Sequence, residues 1–146
     1  MKKTSKIERT VPAFYRRTPV NLICFGYIHG LRSLVNHVSI KDAARYCAKA
    51  YDWDEDLFNA GSQATTYNRM QKELKEIKPE QNPPQGFALT YRIISLHLLL
   101  SGYIMAAKTN VPSATDRAVR LFYETFIGDN ESVNFINSSY LKHYSL

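Results

Sequence analysis

The run from Phe87 to Ala107 constrains the fold most. Phe87, Ala88, Leu89, Ile93, Ile94, Leu96, Leu98, Leu99, Leu100 and Tyr103 to Ala107 make it the most apolar stretch of the chain. A helix that is apolar all round belongs in a bundle core or in a bilayer, and this run is almost long enough to span one. Arg92 near one end could reach a lipid interface, but His97 near the middle is costly in hydrocarbon. The run therefore reads as the central helix of a soluble helical bundle, with no membrane partner.

The other segments supply helices to pack around it. Residues 20 to 36 carry Leu22, Ile23, Phe25, Tyr27, Ile28, Leu31, Leu34 and Val35 at spacings of three and four, which predicts a helix. Gly26 and Gly30, four apart, lower its propensity and mark a face that another helix can approach closely. Ser39 with Asp42 opens a second helix, ending near Asp52. Its apolar face is Ile40, Ala43, Ala44, Cys47, Ala50 and Tyr51; Lys41, Arg45 and Lys49 form a basic stripe on another face. Asn59 or Ser62 caps a third helix running to about Lys78, with Ala64, Tyr67, Met70, Leu74 and Ile77 inward and Arg69–Glu73 and Lys72–Glu76 as candidate pairs. Pro79 to Gly86 reads as a loop. The central helix covers about 87 to 108. Ser113 with Asp116 opens another helix carrying Ala118, Val119, Leu121, Phe122 and Phe126, and a last helical segment covers Glu131 to Tyr144. No strand alternation, hairpin signal or internal repeat interrupts this pattern. The expected fold is all-α, a single domain of five to six helices around the 87–108 helix.

Charge divides the chain unevenly. Of a net +6, most lies in the first twenty residues, where Lys2, Lys3, Lys6, Arg9, Arg16 and Arg17 face Glu8 alone. Residues 21 to 146 hold 13 basic and 12 acidic residues. The expected organisation is a basic N-terminal arm, residues 1–19, and a helical domain, residues 20–146. The arm lacks apolar periodicity and contains Pro12 and Pro19, so it is not expected to fold alone. Its removal is expected to leave the helical core intact.

The chemistry-bearing residues form no catalytic pattern. His29, His37, His97 and His143 lack a second ligand at helical spacing, and no nucleophile elbow, zinc-protease motif or phosphate-binding glycine loop is present. Asp52, Asp54 and Asp56 begin like a calcium loop, but Leu57 replaces the required glycine and Gln63 the closing glutamate. Cys24 and Cys47 lie in apolar surroundings without zinc spacing, and read as buried reduced thiols. No catalytic residue, metal, cofactor or small-molecule substrate is expected.

What remains is binding. Ten tyrosines suggest a core–surface rim suited to a protein interface. The first expectation is a cytoplasmic, non-enzymatic assembly or adaptor protein, docking on a protein partner or a second copy through the arm and a tyrosine-rich surface. Lys2, Lys3, Lys6, Arg9, Arg16, Arg17, Lys41, Arg45 and Lys49 are the candidate partner- or phosphate-binding residues. The alternative is DNA binding. Residues 39–78 loosely resemble a helix-turn-helix, with Gln63, Thr66, Asn68 and Arg69 as candidate base contacts. The departure from that motif is the ten-residue gap, 52 to 61, where the motif uses a short turn.

Overall fold

The computed structural model describes residues 11–54, 58–77 and 85–126. Five α-helices run through them: α1 Pro19–Leu34, α2 Ile40–Ala50, α3 Ala60–Lys75, α4 Gly86–Asn110 and α5 Thr115–Thr125. Short 3-10 turns, Ala13–Arg16 and Pro112–Ala114, precede α1 and α5. The fold is all-α with α4 at its centre, as the apolar run predicts. By length and composition α4 could cross a membrane; half of its most apolar window is buried inside the fold.

The pairing of α1 with α4 is the most extensive in the molecule. Gly26 meets Leu99, and Gly30 meets Tyr103 and Ala106, so the two helices run in the same direction. The expected close-approach face is real. A Cβ on Gly26 would run into the Leu99 carbonyl oxygen, and one on Gly102 into the carbonyl of Ile23. Backbone approaches backbone here because three side chains are missing. α5 runs back along α4, with Phe122 and Phe126 against Tyr103 at ring separations of 5.8 and 6.5 Å.

Caps explain most helix starts. Thr18 Oγ1 accepts from the Asn21 amide, and Pro19 supplies the preset first turn of α1. Ser39 Oγ accepts from Asp42 N–H at 3.0 Å, and Asn59 Oδ1 from Ser62 N–H at 2.9 Å. The expected Ser113 cap does not form: Pro112 winds a 3-10 turn first, and α5 begins at Thr115 without a side-chain cap. α1 stops at Leu34, short of residue 36, because Val35 turns extended and His37 takes a positive φ of 67°. The expected Arg69–Glu73 pair is replaced by one from Arg17. The 131–144 helix and nearly all of the 79–86 loop lie outside the described residues.

The expected boundary at residue 19 does not follow the packing. Val11, Phe14 and Tyr15 are buried in the core. Phe14 packs edge-on against Phe25 at 5.0 Å and lies 5.8 Å from Phe126. The Tyr15 carbonyl accepts from Ser95 Oγ at 2.8 Å, and the Arg92 guanidinium sits 5.5 Å from the Tyr15 ring centre. Charge made this segment look like an arm; Val11, Phe14 and Tyr15 make residues 11–17 a strap across α1, α4 and α5.

Candidate functional site

α2 carries the most regular charged face. Ala43, Ala44, Cys47 and Ala48 are buried against the bundle. Three of these are alanines, so the helix sits close to its neighbours and its opposite edge faces water. Lys41, Arg45 and Lys49 are all exposed on that edge. Successive cations at four-residue spacing rise about 6 Å each along the axis. Asp42, exposed, meets Arg45 at 3.2 Å; a pair this exposed holds the guanidinium loosely. Tyr46 stands between Arg45 and Lys49 in sequence, 47% exposed.

The stripe borders a cleft of about 320 Å³ between α2 and the start of α3. Lys41 and Arg45 form one wall; Phe58, Asn59, Ala60 and Gly61 form the other. The connection is built by aromatic packing. Asp52 turns the chain at φ 54°, Trp53 stacks on Tyr51 at 4.8 Å, and Phe58 closes on Trp53 at 5.3 Å. Trp53 thus anchors the turn, while residues 55–57 lie outside the described residues.

The other candidates divide sharply. Lys2, Lys3, Lys6 and Arg9 lie outside the described residues. Arg16 Nε donates to the Val11 carbonyl at 3.1 Å. Arg17, half-buried, donates from Nε and Nη2 to both Glu73 carboxylate oxygens, at 3.0 and 2.7 Å. Its fork is a tie between strap and α3, so it is not available as a free phosphate ligand. Of the candidate base contacts, Asn68 and Arg69 are exposed, whereas Gln63 and Thr66 are half-buried. Thr66 and Asn68 point roughly 160° apart on a regular helix, so the four residues never formed one reading face. With residues 51–59 separating α2 from α3, the tight turn of a helix-turn-helix is not present either.

The tyrosines also depart from expectation. Tyr15, Tyr27, Tyr67 and Tyr103 are buried, and Tyr51, Tyr91 and Tyr123 half-buried. Their hydroxyls tie helices together: Tyr27 with Thr109 at 2.9 Å, Tyr103 with His29, and Tyr51 with the Ser101 carbonyl at 3.4 Å. Burial pushes the Tyr27, Tyr51, Tyr67 and Tyr103 phenols above the ordinary value. Among the described tyrosines only Tyr46 is exposed. Its signal was legible, since it is an aromatic residue off the apolar face of its helix.

Cys24 and Cys47 are buried, unbridged thiols on α1 and α2. The neighbouring Cys24 thiol, together with burial, pushes the Cys47 thiol above the ordinary range. Among the described residues, no group of three His, Cys, Asp or Glu side chains is placed to hold a metal. Outside α2, sequence reasoning missed a shallower cleft of about 260 Å³ lined by Ser33, Leu34, Arg117, Arg120, Leu121 and Glu124. Comparison with known proteins finds no family model that matches this chain, no similar curated protein and no matching solved structure.

Proposed function

We propose that this chain is a non-catalytic binding protein that docks on the phosphate backbone of a nucleic acid through α2. The observation that carries this reading is the exposed stripe Lys41–Arg45–Lys49 on a helix fixed against the core. The cations are regularly spaced, at a rise similar to the separation of neighbouring phosphates on an extended strand. Asp42, paired with Arg45, and Asp52, past the C-terminal end of α2, partly offset the stripe, and the three cations act together on the phosphates. Such contacts bring affinity without base reading.

The test is fluorescence anisotropy with a labelled duplex across a salt series. Binding should weaken with salt with a log–log slope of about −0.9 per neutralised phosphate. The combined K41Q, R45Q and K49Q variant should weaken binding and flatten that slope. A wild type that binds neither duplex nor single strand, or a variant that binds as well as wild type, defeats the reading.

A second observation favours docking on a protein. Phe87 is 66% and Ile94 55% exposed, and together with half-buried Tyr91 and Leu98 they form an uncharged outer stripe on α4. An exposed apolar patch of this kind suits a protein interface. Light scattering on wild type and I94E tests it: an oligomer dissolved by I94E supports assembly, and a wild-type monomer counts against self-association.

A further inference from the structure

We infer that Tyr46 is a stacking platform for an unpaired base, so that the α2 surface takes single-stranded nucleic acid in preference to duplex. This deepens the phosphate reading and depends on it. Seven of the eight described tyrosines have their rings in or against the core. Tyr46 is the exception. The residue is 47% exposed, and no hydrogen bond or ring contact involves it among the described residues.

Its neighbours give it a chemical setting. Arg45 precedes it and Lys49 follows one turn on, both exposed, while Asp42 lies one turn back and is engaged with Arg45. On the far side of Arg45 lies the cleft shared by Lys41 and Arg45. A strand whose phosphates follow Lys41, Arg45 and Lys49 brings a base beside the Tyr46 ring. A phenol face stacks on any base, with little sequence preference. Bases of a duplex are already stacked on each other and cannot reach the ring. The two strand states thus share the phosphate contacts and differ at Tyr46.

The experiment compares a labelled 15-nucleotide oligothymidine with a duplex of equal length, using the full chain at low salt. Y46A should weaken single-strand binding about thirtyfold, the middle of the range for losing one base–aromatic stack. It should leave duplex binding and both salt slopes unchanged, and Y46F should retain wild-type affinity. The K41Q, R45Q and K49Q variant should weaken both ligands. If that variant weakens both ligands while Y46A changes neither, or changes both equally, the phosphate reading survives and the stacking inference falls. If wild type binds neither ligand, both fall. Thermal unfolding of Y46A, expected to match wild type, separates a lost contact from a lost fold.

Discussion

Gly26, Gly30 and Gly102 decide how near α1 and α4 come, and the three are not equivalent. A methyl at Gly26 or Gly102 meets backbone, which cannot move aside; at Gly30 the nearest atom is the Tyr103 ring edge at 3.1 Å. Gly102→Ala should therefore destabilise by about 3 kcal/mol, the upper end of the usual overpacking cost. Gly30→Ala should cost less, since a side chain's ring edge can shift where backbone cannot, while both variants gain the same helix propensity, about 1 kcal/mol. Urea unfolding of both variants checks the order, and equal losses would mean that α1 and α4 can separate freely. His29 makes a second residue-scale prediction. Burial, with Arg32 adding to it, holds its imidazole below the ordinary 6.5, and burial does the same for His97. The unfolded chain then takes up protons that the folded chain refuses. Stability should be full above pH 6.5 and decline below it, by at most about 1.4 kcal/mol per pH unit for each histidine. In His29→Gln the decline between pH 6.5 and 5.5 should be shallower, measured as the urea midpoint. An unchanged slope would remove His29 from the account.

At the scale of elements, helix starts were legible wherever a single side chain sets them. Ser39 and Asn59 each close on an amide three residues ahead. Asn59→Ala should cost about 1 kcal/mol, with Ser62→Ala nearly neutral; chemical denaturation of the two variants decides which residue is the cap. Ser113 misled because Pro112 diverts the chain into a 3-10 turn before α5 begins, an outcome of how α4 hands over to α5. Apolar periodicity likewise located the buried face of α2, and by exclusion its basic edge. It could not locate the tyrosines. A tyrosine's place depends on whether its hydroxyl finds a partner, and Tyr27 finds Thr109 and Asn110 some eighty residues away. The candidate base contacts on α3 do not share a face for a simpler reason: residue type alone carries no helical angle, and Tyr67 and Met70 fix which side of α3 faces the core.

For the whole molecule, the strap is the feature charge concealed. Arg16 and Arg17 made residues 1–19 look uniform, yet Arg17 is spent on Glu73 and the three apolar residues beside it are in the core. Phe14 touches Phe25 of α1 and Phe126 at the end of α5, while Tyr15 is bonded to Ser95 of α4. The strap thus joins helices far apart in sequence, and the cost of losing it falls on the bundle as a whole. Phe14→Ala alone should cost about 3–5 kcal/mol, as for other buried phenylalanines, which is a large share of the stability of an ordinary domain. Deleting residues 1–10 should lower the urea midpoint by less than deleting 1–19, because Val11, Phe14, Tyr15 and the Arg17–Glu73 tie all remain. Deleting 1–19 should lower the midpoint by more than Phe14→Ala does, with loss of cooperative unfolding by circular dichroism and of near-ultraviolet signal. Should both deletions unfold at the wild-type midpoint, the strap would be an ornament on a self-sufficient bundle. Should only the longer one fail, the folded body begins at Val11, and any nucleic-acid binding removed by the shorter deletion belongs to Lys2, Lys3, Lys6 and Arg9 and not to a collapsed α2.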